Sequence, residues 1–175
     1  MGVFSQDDLA GLWLDEDPDD SEYTEPAPSP ELVAEIEDEL GFRLPAAYVE
    51  LAAVRNGGLL ARDAHPSPAE TSWAADHVGV TGILAIGRTA PNSLRGEAGQ
   101  ELWVEDWGYP LLGVYVADCP SAGHDMIALD YRACGPEGEP SVVHVDQDND
   151  FAVTPLAPTF ADFVRGLRPL EDYED

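Results

Sequence analysis

Thirty-five acidic residues face eight basic ones, all arginine, in a chain of 175 residues, giving a formal charge of −27. A chain of this length buries roughly 70% of its unfolded surface, so a single domain holds a core without disulfide or metal staples. The charge repels phosphate and argues against direct nucleic-acid or anionic-membrane binding; it suits a basic protein partner, or serves solubility alone, and composition leaves both readings open.

Taken in chain order, Ser5 to Leu14 reads as a short helix, with Ser5 as N-cap and Asp7 and Asp8 in the positive first turn. Residues 15–30, DEDPDDSEYTEPAPSP, are rich in acid and proline and predict a linker or mobile loop, weakly packed over 15–28. Ser29-Pro30 opens a helix that carries Leu32, Ile36 and Leu40 on one face and stops at Gly41. Leu44-Pro45 starts a second, with Tyr48, Leu51, Ala52 and Arg55 on a stripe and Asn56-Gly57-Gly58 at its end. Residues 62–76 read as irregular, and Val78 to Ile86 as one or two short strands. Pro91 to Gly99 reads as a polar loop, and Gln100 to Trp107 as a helical turn.

Four apolar runs follow: Leu111–Ala117, Met126–Tyr131, Val142–Val145 and Phe151–Val153. Short connections rich in Gly, Pro, Asp and Asn separate them, which predicts a four-strand antiparallel meander. Phe160, Phe163, Val164 and Leu167 mark a C-terminal helix opened by Thr159 and Asp162 and stopped by Pro169. The expected fold class is therefore α+β, with helices packed around a mostly antiparallel sheet. The expected layout is an N-terminal helix and acidic linker over 1–28, a domain over 29–168 and an acidic tail over 169–175.

No constellation for catalysis stands out. The chain has no Gly-x-Ser-x-Gly elbow, P-loop or His-Glu-x-x-His motif. His144 alternates with Val143 and Val145 and reads as a sheet-face histidine. Cys119 and Cys134 fall in successive turns, at opposite ends of the meander, so free thiols are expected rather than a disulfide. With no visible signal segment, these thiols suit the cytoplasm. Asp146-x-Asp148-x-Asp150 resembles the opening of a calcium loop, but Phe151 and Ala157 stand where that loop needs Gly and Glu. No catalytic residue, cofactor or metal is expected.

The meander's turns alternate between its two ends. The 118–124 and 146–150 turns therefore share a rim, which gathers Asp118, His124, Asp125, Asp146, Asp148 and Asp150. This rim is the candidate docking patch for a cationic partner; turn preference for Asp and Asn alone accounts for the same residues. Trp103 and Trp107 read as core, while Trp13 and Trp73 are freer to meet a partner.

The order of Ile36-Glu37, Leu40-Gly41, Leu44-Pro45, Tyr48, Asn56-Gly57-Gly58, Trp107-Gly108-Tyr109-Pro110, Gly123 to Ile127, Leu129-Asp130-Tyr131, Gly138-Glu139-Pro140 and Val142 to Gln147 resembles the SUKH superfamily. More narrowly, it is similar to the SMI/KNR-type bacterial proteins related to the fungal cell-wall assembly regulator, over roughly residues 30–168. The resemblance implies an α+β fold and binding rather than catalysis. It implies an immunity protein that neutralises a polymorphic toxin, often a nuclease, by direct contact. The alternative is a regulatory or scaffolding module without a toxin.

Overall fold

The computed structural model describes residues 2–15 and 21–173. Helix α1 (Gln6–Leu9) is a single turn, shorter than the Ser5–Leu14 helix predicted. Its reciprocal cap is present: Ser5 Oγ accepts from the Asp8 amide and the Asp8 carboxylate from the Ser5 amide. The chain then leaves the helix at Gly11 (φ +66°), which frees Leu12 to enter the core and Trp13 to pair with Leu60.

Helices α2 (Pro30–Leu40) and α3 (Ala46–Val54) match the predicted pair. Ser29 caps α2 by accepting from the Leu32 amide, and Gly41 ends it in the left-handed region. The buried face of α2 is Val33 and Ile36, with Leu32 and Leu40 at its margin. Tyr48 of α3 is buried and donates to the Leu84 carbonyl at 2.6 Å.

The four-strand meander is present as β5 (Gly113–Asp118), β6 (Asp125–Asp130), β7 (Ser141–Asp146) and β8 (Ala152–Ala157). Two short upstream strands, β1 (Gly58–Leu59) and β4 (Gly82–Ile83), extend it to six antiparallel strands in the order β1-β4-β5-β6-β7-β8. The supposedly irregular 62–76 stretch holds β2 (Ala64–Pro66), which pairs with β3 (His77–Gly79) in a separate ribbon. Helix α4 (Phe160–Gly166) follows the sheet, capped by Thr159.

Both faces of the meander are covered. Val114, Val116, Ile127, Leu129 and Val142 share a core with α2, α3 and α4. Tyr115, Met126, Ala128, Val143 and Val145 lie under the segment carrying Trp103, Tyr109 and Leu112. Double coverage is why these strands read as continuous apolar runs instead of alternating ones. Trp103 is core, as expected, and Trp107 packs beside it. Gln100 binds this segment to the sheet: its side-chain amide donates to the Tyr115 carbonyl and accepts from the Tyr115 amide, each at 2.7 Å. That pairing sits beside the β-bulge at Tyr115/Ala117, where the strand ladder is interrupted.

The expectation of weak packing over residues 15–28 needs correction. Residues 16–20 lie outside the described set, but Tyr23 to Pro26 is docked. The Glu25 amide donates to the Asn56 carbonyl, and buried Asn56 Nδ2 donates to the carbonyls of Pro26 and Ile86. The Glu25 carboxylate accepts from the Thr89 and Ala90 amides. The acids and prolines gave no apolar pattern, yet single polar contacts hold the segment to the sheet edge. Among the described residues, no helix is long and apolar enough to cross a membrane.

Candidate functional site

The antiparallel register sets Asp125 at the start of β6 opposite Asp146 at the end of β7. The turns following β5 and β7 therefore meet on one rim. A hydrogen bond from the Gln147 amide to the His124 carbonyl ties them together at 3.0 Å. The first turn depends on Gly123, which has φ +94°; a Cβ there would strike both Trp103 and Trp107. Its carbonyl accepts from buried Tyr109 at 2.5 Å.

The six acidic and histidine residues assigned to this rim fall into three environments. His124, Asp148 and Asp150 are exposed. His124 Nδ1 and Asp148 Oδ1 are 2.8 Å apart. Asp125 and Asp146 are buried, at 4% and 1% exposure. Asp118 is turned toward the N-terminal segment, where it accepts from Tyr23 Oη at 2.6 Å and the Gly82 amide at 3.1 Å. Burial pushes the Asp118 carboxyl up to about 6, against the pull of these two donors. A fully solvated patch of six is therefore not what the fold builds.

The buried members form a hydrogen-bonded knot. The Asp125 carboxylate accepts from Ser121 Oγ and, at 2.7 Å, from Nε2 of His144, which has no exposed surface. The Asp125 amide returns a hydrogen bond to Ser121 Oγ. Asp125 accepts only, so the hydrogen-bond network places the His144 proton on Nε2. The serine and histidine both address the aspartate, whereas a nucleophilic triad needs the histidine in the middle.

Cys119 Sγ, an Asp125 oxygen and a His144 nitrogen lie within 4.8 Å of one another, a juxtaposition the sequence spacing does not reveal. Burial, followed by the negative charges of Asp125 and Asp118, holds the Cys119 thiol well above its ordinary range. That disfavours the free thiolate a nucleophile requires. His144 Nδ1 also has no hydrogen-bond partner among the described residues, whereas a metal-binding imidazole normally has its second nitrogen held. Both cysteines are free, Cys119 buried and Cys134 exposed.

Two residues of the site come from a distant loop. Between β2 and β3, the Ser72 amide donates to Asp146 Oδ2 at 2.9 Å, and Trp73 stands beside it at 36% exposure. Together with Ser121, His124, Asp125, Asp146 and Asp148 they line a cavity of about 50 Å³. Asp146 Oδ1 has no hydrogen-bond partner among the described residues. Nothing local in the sequence links Ser72 to Asp146; the pairing is a tertiary contact. The alternation Val143-His144-Val145-Asp146 was the one available signal, since it places His144 and Asp146 on the same strand face.

At the opposite rim, Glu37, Asp38, Phe42, Arg43, Cys134 and Glu137 line a wider groove of about 630 Å³.

No curated protein matches the chain. The family model described as SMI1 / KNR4 family (SUKH-1) matches residues 27–166, which span α2 through α4 and the whole rim, and the chain belongs to that family.

Proposed function

We propose that this is a non-catalytic immunity protein that neutralises a cognate toxin, often a nuclease among such proteins, by binding it directly. The observation that carries the reading is the −27 charge in a chain of this family. Four of the eight arginines are already paired with acids of the same chain: Arg88 with Glu35 and Glu39, Arg95 with Glu39 and Glu101, Arg132 with Asp130, and Arg165 with Asp8 and Asp162. The remaining negative excess is available to steer a basic partner. The rim offers exposed Asp148 beside the partly exposed Trp73, with exposed Asp150 in the same turn as Asp148, a combination of charge and aromatic anchor suited to an interface. Its partner is a basic protein, and neither nucleic acid nor membrane is bound directly.

The test is titration of a toxin domain, recovered by co-purification with this protein, with the purified protein. Loss of toxin activity should be complete at equimolar protein and should follow formation of a stable complex. A complex that leaves the toxin fully active would identify a regulatory or scaffolding module instead. No complex at low salt would reject the reading.

A further inference from the structure

We infer that the groove at the start of β5 is a second docking face, which receives a bulky apolar side chain flanked by lysine or arginine from the basic partner. This rests on the proposed partner binding and adds a contact at the other end of the sheet from the rim. The first observation is Leu111. It opens an apolar run in the sequence, yet β5 begins only at Gly113, and Leu111 is left 69% exposed. It does not stand alone: with the partly buried Leu40 and Val104 it lines a solvent-open cavity of about 280 Å³. A lone exposed leucine marks nothing, whereas an apolar strip with a charged margin marks an interaction site. The second observation is the wall that presents Val104. Leu102–Asp106 is a π-helix, in which the Trp107 amide donates to the Leu102 carbonyl five residues back, at 3.0 Å. Such turns are rare and concentrate at functional sites.

Charge selects the occupant. Glu39, Glu101 and Glu105 border the cavity against one base, Arg95, which is already paired with Glu39 and Glu101. Glu105 is exposed and makes no ion pair among the described residues. The adjoining last turn of α2 carries acids and no base, the reverse of what the helix dipole favours, so a cation brought by a partner stabilises it. A second copy of a chain charged −27 is repelled from this face, and so is nucleic acid. One partner can reach both faces. From Gly113 at the groove to Asp118 at the rim end, β5 spans about 17 Å at ~3.4 Å per residue. A standard interface covers about 800 Å² on each partner, a patch about 28 Å across.

The probe is an end-capped heptapeptide of two leucines among five lysines, titrated into the full chain at about 0.1 M salt. The control peptide has serine in place of both leucines. Binding is followed by the NMR signals of the Val104 methyls and the Gly113 amide. Expected is a saturable shift with a dissociation constant on the order of 0.1–1 mM for the leucine peptide, and binding about tenfold weaker for the serine peptide. Leu111→Ser changes only an exposed side chain; it should weaken the leucine peptide about fivefold or more and leave the serine peptide unchanged. Glu105→Gln should weaken both peptides about twofold, more at low salt than at high. Equal affinity of the two peptides, a leucine peptide unaffected by Leu111→Ser, or shifts confined to the rim turns would overturn the proposal. So would self-association of the chain that Leu111→Ser abolishes, since that would give the groove to a second copy. The peptide titration needs no toxin, so a failed toxin assay leaves a positive result standing. Toxin association and dissociation both unchanged by Leu111→Ser would remove the second docking face while keeping the immunity reading.

Discussion

Asp125→Ala is expected to destabilise the protein by about 1–3 kcal/mol, the usual cost of leaving buried hydrogen-bonding groups without a partner. The reason is local. Asp125 is the acceptor for both Ser121 Oγ and His144 Nε2. His144 has no exposed surface, and its Nδ1 already lacks a partner among the described residues, so the substitution leaves the whole imidazole unpaired. In a domain of this size each kcal/mol lowers Tm by about 2–4 °C. Urea unfolding should show a lower midpoint with an unchanged slope. Adding His144→Leu to Asp125→Ala should recover part of the loss, because an apolar side chain leaves no polar group behind. A loss below about 1 kcal/mol for Asp125→Ala would show that the knot does not hold the two turns.

Asp118→Asn should act in the opposite direction at neutral pH. Burial raises the Asp118 carboxyl from 3.8 to about 6 in the folded protein. An acid that binds its proton more tightly when folded contributes stability at low pH. That contribution is fully present below the unfolded value near 4 and is lost as pH rises through 6. At pH 7.5 the ionised carboxylate therefore costs the fold, by ~3 kcal/mol at most. Asparagine cannot ionise, yet it can still accept from Gly82 and meet Tyr23. The variant should be about 1–3 kcal/mol more stable than wild type at pH 7.5. The advantage should shrink steadily down to pH 5, a range that stays above the pI of about 4.1. Comparing variant with wild type cancels the general relief of charge repulsion on acidification. A variant less stable at pH 7.5 by an amount independent of pH would contradict this account.

The meander was legible because its apolar runs are long and its turns rich in Gly, Pro and Asp; β5 to β8 lie close to the predicted runs. The helix pair was legible through its punctuation, Ser29-Pro30 and Gly41. Strand β2 was not, since three residues ending in Pro66 carry no usable period. The rim was legible as a place but not as an environment. Register brings Asp125 and Asp146 together, as the alternating turns imply. What buries Asp146 is the loop bearing Ser72, and what turns Asp118 inward is Tyr23, ninety-five residues away. Turn acids look solvated in sequence because the groups that cover them are distant in the chain. Asn56 likewise reads as a helix terminator, although its side chain is what holds Pro26 to Ile86.

On the proposed function, a basic partner docks on this rim by electrostatic steering. The most direct test is the association rate with the toxin domain, measured from about 0.05 to about 0.5 M salt, a range over which the screening length falls severalfold. Two charge-matched variants are compared with wild type: Asp148→Asn with Asp150→Asn on the rim, and Glu171→Gln with Asp172→Asn near the C-terminus. Wild type should associate much more slowly as salt rises, while its dissociation changes little. The rim variant should associate more slowly at low salt and show a flatter salt dependence, with the C-terminal variant close to wild type. Equal behaviour of the two variants, or a rim variant indistinguishable from wild type, would contradict docking at the rim.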